Sequence, residues 1–286
     1  MSLRTSRGIS KSTQRMPLIF SRIFFLVVLI GLGAFFLRQE ARFSASGLSV
    51  WFFDVGQGDA ILIQTPHGHQ VLVDGGPDQS ILSKLGSAML PWDRTMDRAI
   101  VTHNDADHTT GFRAVTETYQ VDQVMVAEDL SWREGEIFLR AGDRFVVDGV
   151  LFEVLWPTAE ALADRSLSDN EQSLVLWVTY QETSLLLTGD IEALQEAQIL
   201  WPDVDVLKVA HHGSASSSSL DFLRALQPEE AVISCGRENP YGHPHPVILD
   251  RLTQVGAKIL RTDLDGDILL FVDEQESEIV SSPLPF

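Results

Sequence analysis

Residues 99–112 read AIVTHNDADHTTGF, an apolar run that leads into two histidines and two aspartates within the six positions 103–108. Imidazole and carboxylate groups at this density are typical of a metal site. Mixed nitrogen and oxygen ligands suit Zn²⁺ or Mn²⁺, and the many carboxylates move the preference towards Mn²⁺. An exposed polar turn is the simpler alternative, but the apolar strand before the cluster and the segment TTGF after it argue against that explanation.

The spacing within this loop predicts which side chains converge. Alternate residues of an extended chain point to the same side, so we expect His103, Asp105 and Asp107 to lie together and His108 to turn towards a neighbouring volume. Asp105 stands where a common His-x-His-x-Asp-His metal loop has its second histidine. The loop alone therefore leaves open a degraded site and a working, carboxylate-rich site.

Similar polar clusters follow other predicted strands. They are DVGQGD (54–59), DGG (74–76), LLLTGD (185–190), LKVAHHGS (207–214) and YGHPH (241–245). Taken alone, Asp190 is best explained as a helix cap, but beside the 103–108 loop its carboxylate could bridge two metal ions. Of the adjacent His211 and His212, we expect one to ligate metal and the other to orient substrate or a supporting group.

The segment GSASSSS, residues 213–219, precedes a predicted helix. Backbone N–H groups and hydroxyls at a helix N-terminus form a site for anions, so Gly213 and Ser214 are candidates for substrate binding. A flexible serine linker is the alternative for residues 217–219. The single cysteine, Cys235, excludes an internal disulfide and zinc sites built from several cysteines, and its apolar surroundings predict a buried strand residue.

Strand and helix patterns alternate through most of the chain. The runs LSVWFFDV, AILIQT and HQVLVDGG, separated by turn residues, predict an opening β-meander. Helical patterns cover residues 78–90, 192–200, 219–227 and 246–256. Since no solenoid repeat and no linker is visible, we predict one α/β domain of two sheets covered by helices over residues 44–286.

The first 43 residues have a different composition. Residues 1–16 are polar and basic, and residues 17–37, PLIFSRIFFLVVLIGLGAFFL, form an apolar run long enough to cross a bilayer. We therefore expect residues 1–43 to be a basic arm and a single-pass membrane anchor, with the N-terminus in the cytoplasm and the rest of the chain outside. A cleaved signal peptide and a buried core helix are the alternatives.

Charge is distributed unevenly between these two parts. Seven of the 21 basic residues but one of the 40 acidic residues lie in residues 1–42, which leaves 14 basic and 39 acidic residues, a formal charge of −25, in the remaining 244. A domain with this charge repels polyanions at long range, whereas a protein that reads nucleic acid is expected to be basic. The charge argues against tight binding of duplex DNA.

Taken together, five motifs resemble the metallo-β-lactamase-fold domain of the ComEC/Rec2 competence proteins. They are DVGQGDAILI with VLVDGG, THNDADHTTG, LLLTGD, LKVAHHGS and YGHPHPVILDRL, in this order between about Val50 and Phe271. The resemblance implies an αββα sandwich with a metal centre between the sheet edges. It also implies a metal loop of the form His-x-Asp-x-Asp-His, which Asp105 matches.

The resemblance further implies a role for each site residue. The implied ligands of two divalent ions, zinc or manganese, are His103 and Asp105 for one ion, Asp107, His108 and His211 for the other, and Asp190 as the bridge. Residues implied to face substrate or line the near wall are Gln57, His243 and His245, together with Asp54 and Asp59; Gly213 and Ser214 join them as the candidate anion site. Asp74 is expected to organise the metal loop from behind. The expected catalytic groups are Asp107 or Asp190 as proton acceptor and His212 or His243 as stabiliser of a substrate oxygen.

The residues predict a two-metal hydrolase, and the family resemblance together with the anion-binding loop implies single-stranded DNA as the favoured phosphodiester substrate. Hydrolysis of a small phosphodiester, phosphonate or ester is an alternative, and a non-catalytic metal-binding accessory module is another. Two departures from the family bear on the choice. The competence proteins carry this domain beside a multi-helix channel, so we expect no DNA-import pore here. Relatives often have a lysine after HHGS, where this chain has Ala215, which removes positive charge from the anion site.

Overall fold

The computed structural model describes residues 24, 47–128, 130, 134–273 and 277–281, and the statements below concern these residues. Residues 43–286 form one compact unit. The predicted basic arm and apolar run lie outside the described residues except for Phe24, so the membrane anchor stays a prediction. Within the described part of the chain, no helix has the length and apolar character needed to cross a bilayer.

The described strands form two sheets. The first sheet contains, in spatial order, β15 (Ser277–Ser281), β14 (Ile268–Val272), β1 (Leu48–Phe52), β2 (Ile61–Gln64), β3 (Gln70–Val73), β4 (Thr95–Val101), β5 (Gln120–Val126) and β6 (Ile137–Phe138). The second contains β13 (Lys258–Arg261), β12 (Glu230–Ile233), β11 (Val206–Lys208), β10 (Thr183–Leu187), β9 (Val175–Tyr180), β8 (Val150–Trp156) and β7 (Arg144–Val147). Strands β1, β2 and β3 pair antiparallel, which confirms the predicted meander.

Helices cover the outer faces of both sheets. Those described are α1 (Ser80–Ala88), α2 (Ala106–Thr118), α3 (Ala159–Ala163), α4 (Ala193–Glu196), α5 (Leu220–Leu226), α6 (Pro246–Val255) and α7 (Thr262–Asp265). Helices α1, α5 and α6 lie within predicted segments, and Gly256 ends α6 in the left-handed conformation. The predicted helix over 192–200 is reduced to α4, and Leu200, beyond its end, is exposed.

Helix α2 was not predicted, and the extended conformation expected for the 103–108 loop is wrong beyond Asp105. Asp105 occupies the N-cap position and the helix begins at Ala106. The threonines in this segment have low helix propensity, which weakens the local signal. Packing decides instead, because Phe112 and Val115 of α2 are fully buried.

Three apolar clusters establish the layer order. One lies between the sheets and includes Phe52 and Phe152; the second joins the outer face of the first sheet to α1 and α2, and the third joins the outer face of the second sheet to α5 and α6. Each fully buried Phe or Leu contributes roughly 1.5–3 kcal/mol of transfer free energy. The order helices, sheet, sheet, helices confirms the predicted two-sheet α/β sandwich.

The strand directions bring the polar motifs to one region. Strands β3 and β4 are parallel neighbours, and so are β10, β11 and β12. Parallel strands end at a common edge of their sheet, so the loops that follow them meet there. Cys235, just after β12, is buried as predicted, and burial together with the Asp263 carboxylate raises the pKa of its thiol to about 12.

Candidate metal centre

The Asp190 carboxylate, which follows β10, lies at the centre of a cluster of imidazoles. Its Oδ2 is 3.4 Å from Nε2 of both His108 and His212. The same oxygen is 3.9 Å from Nε2 of His103 and 4.0 Å from Nε2 of His211. Two donors that each lie about 2.1 Å from one tetrahedral ion are about 3.4 Å apart. The spacing of Asp190 from His108 and His212 therefore fits a shared ion.

A first ligand group consists of Asp107, His108 and His212, whose ligand atoms all lie within 4.8 Å of one another. Nε2 of His212 is 3.3 Å from Oδ2 of Asp107, close to the same ideal spacing. His108 was predicted to turn away from Asp107. Both residues instead face the strand ends, because they lie in the first turn of α2 rather than in an extended loop.

A second group consists of His103, His108 and Asp190, again with ligand atoms within 4.8 Å of one another. Asp105 lies at its rim, with Oδ2 at 3.7 Å from Nε2 of His103. The nearby His103 imidazole holds the pKa of the Asp105 carboxyl below its usual value. The predicted pairing of His103 with Asp105 is thus present as a contact, in a looser arrangement than the first group.

Several buried polar atoms of the cluster lack a hydrogen-bond partner among the described residues. They include Nε2 of His103, His108 and His212 and Oδ1 of Asp190. A buried polar atom without a partner costs about 1–3 kcal/mol, and these atoms converge on one small volume. Divalent metal ions bound by imidazole and carboxylate would satisfy them, so the residues present fit the two-metal centre that the sequence predicts.

The electrostatics of the cluster also favour a cation at its centre. Burial raises the pKa of Asp190, but His212 and His108 outweigh it and hold this pKa well below its usual value. Burial lowers the pKa of His212 and of His108, yet Asp190 and a second carboxylate beside each imidazole raise it well above the usual range. The carboxylates therefore draw positive charge into the cluster, which is the charge a divalent ion supplies.

Asp74 holds the metal loop from behind. Its Oδ1 accepts a hydrogen bond from the Thr102 backbone N–H at 2.8 Å, and its Oδ2 accepts from the Thr102 hydroxyl at 2.7 Å. Oδ2 of Asp74 is also 2.8 Å from Nδ1 of His108. This contact orients the imidazole so that Nε2 faces Asp190, the arrangement typical of histidine ligands held by a carboxylate.

A buried ion pair supports the cluster from the side of β11. Lys208 is fully buried in β11 and pairs with Asp59. Oδ1 of Asp59 is 3.4 Å from Nδ1 of His212, which is also 3.0 Å from the Ser234 carbonyl oxygen. Burial raises the pKa of Asp59, but Lys208 and His212 lower it further than burial raises it. The sequence analysis missed Lys208, although a lysine inside the apolar run DVLKVA was a usable signal.

The turn after β11 gives the adjacent His211 and His212 different surroundings. His211 and His212 have φ of 51° and 53° and Gly213 has φ of 81°, a left-handed run that is rare for residues with side chains. His212 turns inward, whereas 22% of the His211 side chain is exposed. Nε2 of His211 lies 3.3 Å from the Asn170 amide nitrogen. The geometry thus places His212 in the ligand group and His211, the predicted ligand, at its rim.

The residues predicted to face substrate occupy different surroundings. The His243 ring lies 5.8 Å from the His211 ring, next to the cluster, and burial together with His212 and His211 lowers the pKa of His243. His245 instead caps α6, because its Nδ1 accepts from the Val247 N–H at 3.2 Å.

Gln57, Asp54, Gly213 and Ser214 are engaged within the protein. Gln57 Oε1 accepts from the Gly236 N–H at 3.3 Å, which ties the 54–59 loop to the end of β12. Asp54 Oδ1 accepts from the Gly56 N–H at 3.3 Å. A Cβ at Gly213 would meet Pro244 at 2.7 Å, so glycine lets the two loops pack. Oγ of Ser214 lies 3.0 Å from Oγ of Ser216.

The predicted anion site before α5 is occupied by the protein itself. The backbone N–H groups of Ser218 and Ser219 donate to the two carboxylate oxygens of Glu196. Glu196 is buried, and burial raises the pKa of its carboxyl. A carboxylate of the protein thus satisfies the N–H groups at the start of α5. The prediction that Gly213 and Ser214 bind substrate stays a prediction.

Comparison with known proteins agrees with the fold and with the motifs. ComE operon protein 3 of Bacillus subtilis is 33% identical over 75% of this chain and 32% of its own length. Competence protein ComA of Neisseria gonorrhoeae is 35% identical over 77% of this chain and 31% of its own length. This chain thus spans about one third of the length of these curated relatives. The predicted resemblance to the competence proteins is confirmed.

A solved structure and a family description agree on the fold. The metallo-beta-lactamase fold protein YhfI of Bacillus subtilis covers 79% of this chain and 100% of its own, with a TM-score of 0.55 at 11% identity, a likeness of fold alone. Residues 53–237, more than half of the chain, match the family described as the metallo-beta-lactamase superfamily. The match includes the strand-end motifs from DVGQGD to HHGS that build the cluster around Asp190. On this basis the chain belongs to the metallo-β-lactamase superfamily.

Proposed function

We propose that this chain is a metal-dependent phosphodiesterase that cleaves single-stranded DNA with two divalent ions, zinc or manganese. The observation that carries the proposal is the convergence of buried, otherwise unpaired ligand atoms around Asp190. Members of this superfamily are usually metal-dependent hydrolases. One relative is named as a competence protein, and competence is the ability to take up DNA, which supports DNA as the substrate.

The ligand groups define what the chain would hold. His103, Asp105 and Asp190 would bind one ion, and Asp107, His108 and His212 would bind the other with Asp190 shared between them. Bound divalent ions polarise a phosphoryl oxygen and lower the pKa of a bound water.

One of the proposed ligands, Asp107, and one neighbouring side chain, His243, have access to substrate. The Asp107 carboxylate is 32% exposed. Burial raises its pKa, but the imidazoles of His212 and His108 together lower it further, so the group is charged and can accept a proton from the attacking water. His243 has a lowered pKa and is therefore neutral at pH 7, where its imidazole can donate a hydrogen bond to a phosphate oxygen.

A cleavage assay tests the proposal. The full chain, loaded with Mn²⁺ or Zn²⁺, is given a labelled single-stranded oligonucleotide, the matching duplex and bis-p-nitrophenyl phosphate. We expect metal-dependent cleavage of the single strand and the small diester. Asp107→Ala should lower kcat by about 100-fold or more, because several kcal/mol of metal stabilisation is weakened. Asp221→Ala, at a side chain that is 98% exposed, is the matched control.

The outcomes separate the alternatives. If Asp107→Ala hydrolyses every substrate as fast as the wild type, the hydrolase proposal is wrong. Hydrolysis of the small diester without DNA cleavage would retain the hydrolase and replace its substrate. Tight metal binding without any hydrolysis would favour a non-catalytic accessory module.

We further propose that residues 17–37 anchor the chain in the cell membrane, with the hydrolase domain outside. The apolar run and its basic N-terminal flank support this topology. Protease added to intact spheroplasts should digest the domain while the chain stays with the membrane fraction after alkaline washing. Release of a shortened chain into the medium would favour a cleaved signal peptide instead.

A further inference from the structure

An exposed aromatic side chain lies beside the candidate metal centre around Asp190. Tyr241 is 68% exposed, and its ring stacks on the His243 ring with centroids 5.8 Å apart and planes 25° apart. The His243 ring in turn meets the His211 ring edge-on, with centroids 5.8 Å apart. Since His211 lies 4.0 Å from Asp190, the aromatic shelf formed by Tyr241 and His243 runs from the cluster to the solvent.

The loop that carries the aromatic shelf is held in place. The Asn239 side chain accepts a hydrogen bond from the His243 N–H at 3.0 Å and donates to the carbonyl oxygens of Gly236 and His243. The His245 N–H donates to the Gly213 carbonyl oxygen at 2.8 Å. These contacts tie the loop to the end of β12 and to the turn after β11, so the aromatic shelf is preorganised for a ligand.

Two positive side chains among the described residues, Lys208 and Arg237, already make contacts within the protein. Lys208 is buried against Asp59, and the Arg237 guanidinium donates to the Asp263 carbonyl oxygen at 3.1 and 3.3 Å. Residues 43–286 also carry a formal charge of −25. Affinity for a polyanion must therefore come from contacts other than long-range attraction, and stacking on an aromatic ring is such a contact.

We propose that Tyr241 stacks on the nucleobase next to the scissile phosphate and thereby selects single-stranded DNA. This inference rests on the proposed function and specifies how the substrate is recognised. Every base offers a π-face, so stacking tolerates any sequence. A base within a duplex is already stacked between its neighbours and must be flipped out to reach such a ring, which costs a few kcal/mol.

A substitution series at Tyr241 tests the stacking contact. Steady-state cleavage of a single-stranded oligonucleotide is measured for the full-length wild type, Tyr241→Phe, Tyr241→Trp and Tyr241→Ala. Stacking on one base is worth about 1–3 kcal/mol, so Tyr241→Ala should raise KM by roughly 5–150-fold. Phe and Trp keep the π-face and should stay within about 3-fold of the wild type, since Trp and Phe stack as Tyr does. Phe138→Ala, at an aromatic side chain that is 57% exposed on β6, is the matched control and should leave KM unchanged.

An abasic substrate identifies the group that stacks. Removing the base at successive positions of the oligonucleotide should raise the wild-type KM most strongly at one position. At that position the abasic substrate should abolish the difference between wild type and Tyr241→Ala, because the contact has already been removed from the other side. Unchanged metal content of the variants shows that the cluster is intact.

Two failures have different meanings. The inference is wrong, and the proposed function stands, if the wild type cleaves DNA but Tyr241→Ala has an unchanged KM. The same holds if the KM of Tyr241→Ala exceeds that of the wild type by the same factor on every abasic substrate. If the wild type hydrolyses bis-p-nitrophenyl phosphate but no DNA, the proposed substrate fails and the inference fails with it.

Discussion

His211 and His212 adjoin in the chain, yet their imidazoles lie in different surroundings. His212 is buried between Asp107 and Asp190, and its Nδ1 contacts the Ser234 carbonyl oxygen. His211 is partly exposed and lies near Asn170. A left-handed turn that starts directly after β11 produces this difference.

The two histidines are expected to respond differently to substitution. Loss of a residue that only contacts a metal ligand typically lowers metal affinity by about 10–100-fold. His212 would itself be a ligand, so His212→Ala should lower the affinity by more than about 100-fold. For His211→Ala, the loss of affinity should not exceed about 100-fold. Titration calorimetry with Mn²⁺ and metal analysis of the purified chain measure both. An equal loss in the two variants, or a larger loss for His211→Ala, would contradict the assignment.

The buried pair of Lys208 and Asp59 gives a prediction about stability. Lys208→Met removes the partner of a buried carboxylate, so it should lower the free energy of unfolding by about 3–5 kcal/mol. Lys258→Met is the matched control, because Lys258 pairs with Glu230 at 2.8 Å with 58% of its side chain exposed, and surface pairs contribute about 0–1 kcal/mol. Urea denaturation measures both. Equal effects would show that the burial of Lys208 does not matter.

Among the elements, α4 and α5 are joined by a contact that determines what α5 can bind. Glu196 ends α4, and its carboxylate accepts from the N–H groups of Ser218 and Ser219 just before α5. Anions are favoured at helix N-termini because unpaired N–H groups and the helix dipole face them. Here the chain supplies that anion, so α5 contributes to stability rather than to substrate binding.

Glu196→Ala is therefore expected to destabilise the protein without changing substrate affinity. Loss of hydrogen bonds to a charged acceptor should cost about 1.5–3 kcal/mol. Glu229→Ala, at an exposed glutamate, should change stability by less than about 0.5 kcal/mol. Thermal unfolding and KM measurements with the oligonucleotide check the two parts. A raised KM with unchanged stability would return the α5 N-terminus to the substrate site.

The whole molecule carries a charge that opposes its proposed substrate. Residues 43–286 have a formal charge of −25. Proteins that bind DNA through lysine and arginine lose affinity steeply as the salt concentration rises, but the dominant long-range force here is repulsion. Screening reduces repulsion between like charges, and the Debye length is about 8 Å at physiological ionic strength. Association with DNA should therefore improve when salt is first added.

KM for the oligonucleotide should accordingly fall as NaCl rises from a few mM to about 150 mM. For bis-p-nitrophenyl phosphate, with a single charge, the change should be much smaller. Both values come from initial rates at a fixed, saturating concentration of Mn²⁺. A steady rise of KM with salt would mean that cationic contacts to phosphates dominate despite the net charge.

Much of the fold follows from local patterns along the chain. Alternating apolar residues with turn signals mark β1, β2 and β3, and a helical repeat ended by Gly256 marks α6. Such signals depend on residues a few positions apart, so they can be recognised without a structure. The position of the polar motifs at strand ends follows in the same way, and so does the prediction of a metal site.

Contacts between distant residues decided the rest. Lys208 meets Asp59 across 149 positions, and Glu196 reaches Ser218 across 22. Packing of Phe112 and Val115 makes α2 helical, which turns Asp107 and His108 inward together. The sequence by itself determined the kind of chemistry, because residue types and strand ends are local properties. Tertiary structure decided which histidine faces the carboxylates of the candidate metal centre and which anion fills the α5 N-terminus. Both depend on residues that are distant in the chain and close in the folded protein.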